Sequence, residues 1–179
     1  MSDAARTPPM LEPKHHALLD VAKRRGLPLA GDIGLCFQLL SLANAIDRDC
    51  AARLAPQQLS EGKFVLLFLL HEQAAGLSAH QLADGAGVTR ATITGLVDGL
   101  ERDGFVLREP GQRDRRRVMV TLTAKGKSVA AKLFKEHTDW IGSLFGGLAP
   151  SDKARLSDLL ARIWHGTDTG RSALRRGPQ

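Results

Sequence analysis

Residues 77–123 read LSAHQLADGAGVTRATITGLVDGLERDGFVLREPGQRDRRRVMVTLT, and this stretch decides the fold. Ser78 and Gln81 stand three apart, the spacing of a capping box, with Leu77 and Leu82 placed as a hydrophobic staple. Thr89 follows eleven residues after Ser78 as a second N-cap, with Val88 and Ile93 as its staple. Gly85 and Gly87 lie between and allow a sharp turn. Two capped helices joined this tightly predict a helix-turn-helix.

The second helix is expected over 89–102. Val88, Ile93, Leu96, Val97 and Leu100 can face a core, which leaves Thr89, Arg90, Thr92 and Thr94 outside near its N-terminal end. That end is where a recognition helix meets bases and phosphates. An arginine can donate two bonds to a guanine edge, a threonine can touch a thymine methyl or a phosphate, and the helix dipole favours anions there. Gly104 then fits a helix C-cap. Residues 105–109 and 118–122 are strand-like, with Pro110 and Gly111 as turn residues and charge across 112–117. The tip carries Arg113, Arg115, Arg116 and Arg117, which suits the negative potential of a minor groove. Asp114 stands two before Arg116 and can brace that guanidinium by a bidentate pair. The plain alternative is a solvated charged loop, and the capped helices before the hairpin weigh against it.

Outward from this stretch, the chain is mainly α. Residues 1–14 contain Pro8, Pro9 and Pro13 without periodicity and read as a mobile arm. A short helix is expected over 15–25, so residues 1–32 form an N-terminal arm. Residues 32–54 carry Ile33, Phe37, Leu40, Ile46 and Leu54 in helical repeat, widened by Leu35, Leu39 and Leu42. So broad an apolar face calls for burial on more than one side, as against a helix of a second subunit. Pro56 breaks it, and Ser60 caps another apolar helix over 60–73. Thr123 can cap a long helix to about 148, and Pro150-Ser151 restarts one over 151–165. The tail, 166–179, reads as flexible and basic.

The 179 residues hold 25 Lys and Arg against 19 Asp and Glu, net +6, which favours a polyanionic partner. Two cysteines are too few for a disulfide framework, and neither a signal peptide nor a run of about 18 apolar residues is present; a cytoplasmic protein with no membrane association is expected. No Gly-rich phosphate loop, nucleophile elbow or H-E-x-x-H occurs, so an enzyme is not expected. The six histidines form no spaced ligand set, so neither metal nor cofactor is expected.

The capped pair, the hairpin and the D-x-R of its tip resemble the MarR family of winged helix-turn-helix regulators across about residues 33–165. The resemblance implies a mainly α fold with a small β-hairpin wing. It places the winged helix-turn-helix at about 60–122, between dimerisation helices at about 33–54 and 123–165. It implies a homodimer on a pseudo-palindromic operator in double-stranded DNA, acting as a repressor released by a small aromatic or carboxylate effector. By position, Arg90, Thr92 and Gly95 resemble the groove-facing residues. The run around Cys36, GLCFQLLSLANA, resembles the family's peroxide-sensing branch, yet the tyrosines that branch places near sulfur are missing: the chain has no tyrosine. Cys36 and Cys50 are fourteen residues apart, about 21 Å along a straight helix, and cannot bridge within it. The blander reading of Cys36 is a packed small hydrophobe. Phe37, Phe64, Phe68 and Trp140 are candidate walls of an effector pocket and equally plain core. A third reading is a basic protein-interaction module without specific DNA binding.

Overall fold

The computed structural model describes residues 11–27, 30–111 and 118–176, with side chains described as far as 172. The chain divides into two compact units, 1–131 and 132–179.

In the first unit, helix α1 (Pro13–Arg24) lies on the long helix α2 (Ala30–Leu54). A 3-10 turn, Ala55–Gln57, follows at Pro56, and then α3 (Glu61–His71), whose first turn is capped by Ser60 accepting from the Lys63 amide. Helices α4 (Ala79–Ala86) and α5 (Arg90–Arg102) pack on α3 and on each other. Strands β1 (Leu77–Ser78), β2 (Val106–Pro110) and β3 (Val118–Leu122) form an antiparallel sheet in the order β1-β3-β2. The register pairs Val106 with Leu122 and Pro110 with Val118, so the expected turn residue Pro110 is instead a strand residue. It is tolerated because β2 is an edge strand, where a missing N–H breaks no ladder.

The core of this unit is the meeting of three helices and the sheet. Leu66, Leu67 and Leu70 from α3, Leu82 from α4, Ile93, Val97 and Leu100 from α5, and Val106 and Val120 from the sheet are all buried. Each such side chain contributes about 1.5–3 kcal/mol by leaving water. Val88, expected to face this core, is exposed instead. It follows Gly87, whose left-handed φ of 65° turns the chain outward between the helices.

Helix α6 (Ala124–Leu144) starts at Thr123, whose Oγ1 accepts from the Gly126 amide at 2.9 Å. Gly126 is where backbone meets backbone: a Cβ there would overlap the Phe105 carbonyl oxygen.

The second unit holds the end of α6, then α7 (Pro150–Gly166), which opens with proline in its first turn, and α8 (Asp168–Arg176). The tail expected to lack regular structure is therefore helical to Arg176. Its start is set by Thr167, whose Oγ1 donates to the Trp164 carbonyl and accepts from the Gly170 amide. These are local side-chain bonds that tail composition does not reveal. No described helix is long and apolar enough to cross a membrane.

Candidate nucleic-acid interface

Helix α4 begins with the expected capping box. Ser78 Oγ accepts from the Gln81 amide at 3.3 Å, and the Ser78 amide donates to Gln81 Oε1 at 2.9 Å. Helix α5 begins at Thr89, whose Oγ1 accepts from the Thr92 amide at 3.2 Å. Each cap satisfies a backbone donor that the first turn leaves open.

The caps fix which face of α5 turns inward. Ile93, Val97, Gly99 and Leu100 are buried, while Thr89, Arg90, Thr92, Thr94 and Gly95 are exposed. The structure thus brings all five expected residues of this helix onto one exposed surface at its N-terminal end. Their hydroxyls are not equally available. Thr94 Oγ1 donates to the Arg90 carbonyl at 3.1 Å, and Thr89 Oγ1 lies 2.9 Å from Thr92 Oγ1 besides holding the cap. Thr89 is therefore committed to shaping the helix end. Arg90, Thr92 and Thr94 remain exposed beside it. At Gly95 a Cβ would meet nothing within 4 Å, so another molecule can approach the backbone closely there.

Two features of this surface are absent from the sequence reading. Arg90 Nη2 lies 3.4 Å from Nδ1 of His80 on α4, and His80 Nδ1 lies 3.3 Å from Asp84 Oδ2. On the flank, Arg108 of β2 donates to both Asp98 and Glu101 of α5. The Asp98 carboxylate leads in holding the Arg108 pKa above its ordinary value. This pair of carboxylates lies where α5 should leave the groove, and Arg108 offsets their charge while tying wing root to helix. Lys63 of α3 donates to Asp103, at the C-terminal end of α5, over 2.6 Å, and that bond leads in lowering the Asp103 pKa. A basic residue in strand spacing and an acidic pair in helix spacing were visible, but not that they meet.

The wing is described up to Gly111 and again from Val118. Arg113, Asp114, Arg115 and Arg116 lie outside the described residues. Cys36 is exposed on α2, and Cys50 is partly covered, with burial pushing its thiol pKa up. Of the candidate pocket walls, Phe37 is stacked on His15 at 4.7 Å, and the Phe64 and Phe68 rings lie 6.4 Å apart, tilted by 58°. Trp140, in the second unit, meets His137 edge-on.

Known proteins share this arrangement. The family model described as MarR family matches residues 59–118, which span α3 to the start of β3. The HTH-type transcriptional repressor YetL of Bacillus subtilis is 33% identical over 156 residues, covering 84% of this chain and 93% of that protein. The chain belongs to the MarR family. It is a DNA-binding regulator of transcription built on a winged helix-turn-helix. Another family-scale relative is the transcriptional activatory protein BadR of Rhodopseudomonas palustris, 34% identical over 132 residues, covering 72% of this chain and 75% of that protein. Among solved structures, CouR from Rhodococcus jostii RHA1 bound to p-coumaroyl-CoA is similar with a TM-score of 0.61 and 28% identity, covering 76% of this chain and 94% of that one.

Proposed function

We propose that this MarR-family regulator is a cytoplasmic repressor that binds a pseudo-palindromic operator as a homodimer and leaves it when a small aromatic or carboxylate ligand binds. The observation that carries the reading is the division of α5. Its apolar side completes the core of the head, and its exposed N-terminal side presents Arg90, Thr92, Thr94 and Gly95. These residues would enter the major groove, with Thr89 setting the helix end, while Arg113, Arg115 and Arg116, the last braced by Asp114, would reach the minor groove.

A homodimer is supported by apolar side chains that one chain leaves in water: Leu35, Leu40 and Leu42 on α2, and Leu159, Leu160, Ile163 and Trp164 on α7. Repression is supported by likeness to YetL over most of both chains. An aromatic effector is supported by CouR, a relative bound to an aromatic acyl thioester. Release would be a population shift: the ligand favours a spacing of the two heads that no longer matches successive major grooves, about 34 Å apart.

The test is a salt series of anisotropy titrations on a duplex selected from a random library by the wild-type protein. Arg116→Ala should weaken binding and reduce the slope of log affinity against log salt by about one, because one phosphate-neutralising charge is lost. Unchanged affinity and slope would remove the wing from the interface. Equal affinity for all duplexes would favour a basic interaction module over an operator-binding regulator.

The exposure of Cys36 favours a second reading, release by thiol oxidation. Treatment with an organic hydroperoxide should then release wild type from the duplex and leave Cys36→Ser bound. Equal release from both would eliminate it.

A further inference from the structure

Arg90 opens the recognition helix, yet in the structure its guanidinium does not simply extend into solvent. Its Nη2 lies 3.4 Å from Nδ1 of His80, which belongs to the preceding helix. The same imidazole nitrogen lies 3.3 Å from Oδ2 of Asp84, one turn further along α4. Among the described residues, the charged groups against His80 are therefore Asp84 on its own helix and Arg90 from α5. All three side chains are exposed, so water and a DNA duplex can reach them.

One nitrogen facing both a donor and a carboxylate cannot serve both in one protonation state. An unprotonated Nδ1 has a lone pair and accepts from the Arg90 guanidinium; it can offer Asp84 nothing. With its proton on Nδ1 the ring donates to Asp84, whether as the neutral Nδ1–H tautomer or as the imidazolium; only the imidazolium also carries a charge that repels Arg90 and leaves no lone pair to accept from it. The two contacts are alternatives: the neutral ring can make either by tautomer, and protonation removes the one to Arg90.

We propose that His80 is a positioning residue for Arg90: neutral His80 holds the arginine back against α4, and protonated His80 turns to Asp84 and frees the arginine for the operator. The proposal rests on the reading of Arg90 as an operator contact. Its consequence is a specific acid-side gain in operator affinity, because the protonated state both releases Arg90 and adds a positive charge beside the DNA backbone.

The experiment measures operator Kd on the library-selected duplex from about pH 8 to about pH 5.5 at constant ionic strength. Wild type, His80→Gln, His80→Lys, Arg90→Ala and the Arg90→Ala/His80→Gln double variant are compared. Circular dichroism confirms that these surface changes leave the fold intact. Relative to His80→Gln, wild type should gain about threefold in affinity on acidification, the size expected of an exposed charge pair. The Gln amide oxygen still accepts from Arg90 but does not titrate, so His80→Gln should keep the high-pH Kd and lose that part of the slope. His80→Lys, with a fixed charge, should show the low-pH affinity already at high pH.

The double variant separates positioning from a plain phosphate contact. With Arg90 absent, most of the difference between His and Gln at position 80 should disappear. If that difference persists in full without Arg90, or if His80→Gln titrates like wild type while Arg90→Ala weakens binding, the positioning role is overturned. If Arg90→Ala leaves Kd unchanged, the groove assignment of Arg90 fails, and the proposal fails with it.

Discussion

In the reading head, Leu66, Leu82, Ile93 and Leu100 have no exposed surface, whereas Leu35 on α2 and Ile163 and Trp164 on α7 keep half or more of theirs. Both regions are rich in large apolar residues. They differ in whether one chain can close its own core. Helices α3, α4 and α5 pack together, with the sheet completing the head. On α2 and on α7, Leu35, Leu40, Leu159, Leu160, Ile163 and Trp164 stay exposed instead. Burial in the head stabilises the single chain; in the proposed homodimer, burial on α2 and α7 would come from a second copy and would depend on protein concentration.

The comparison breaks most directly at Leu66. Leu66→Ala should cost about 2–5 kcal/mol, since the helices around the cavity can only partly collapse. A thermal or urea unfolding curve measures it, and a loss comparable to that at an exposed leucine would mean the head is not closed. Gly126→Ala should cost about 1–3 kcal/mol, because the new methyl has to displace the Phe105 carbonyl rather than a mobile side-chain end. Ile163→Asp should do the opposite of Leu66→Ala. It should leave the far-ultraviolet spectrum of the chain in place and shift sedimentation from dimer toward monomer. An unchanged dimer would take α7 out of the interface.

Smaller effects sharpen the contrast. Arg108→Gln removes the charge that faces Asp98 and Glu101. At a partly exposed site this should cost only about 0.5–1 kcal/mol in stability. It should also weaken operator binding, through a wing root less firmly tied to α5. The smallest effect concerns α1. Hydrogen bonds from Arg48, then Lys14, hold the Glu12 carboxyl at about 2, down from 4.5. A lowered folded-state pKa contributes stability that is complete above about pH 4.5 and is lost as the pH falls toward about 2. Glu12→Gln should flatten that acid limb of a urea-midpoint series, and an unaltered limb would mean the bonds do not persist in solution.

Much of the head was legible because its signals are local. Ser78 with Gln81, and Thr89 with Thr92, lie within one helical turn, so a cap can be read as spacing. The exposed face of α5 follows from the same helical period. Strand β1 was not legible: it is two residues long, and Ser78 is at once its end and the cap of α4. Helix α8 was missed because Thr167 starts it inside a stretch whose composition is that of a tail. The ties of Arg108 to α5 and of His80 to Arg90 span 7 to 10 positions and different elements. No periodicity encodes such meetings.

The sequence by itself determined that this protein has two capped helices and a hairpin in the order of a DNA-reading head, and which residues of the second helix face outward. Those properties depend on neighbours within a turn or a strand pair. Tertiary structure decided which charges meet. It set Arg108 between two carboxylates, closed Gly126 onto the Phe105 carbonyl, and brought His80 against Arg90. Contacts of that kind depend on how elements pack, and packing is settled by the buried core as a whole rather than by any local run of residues.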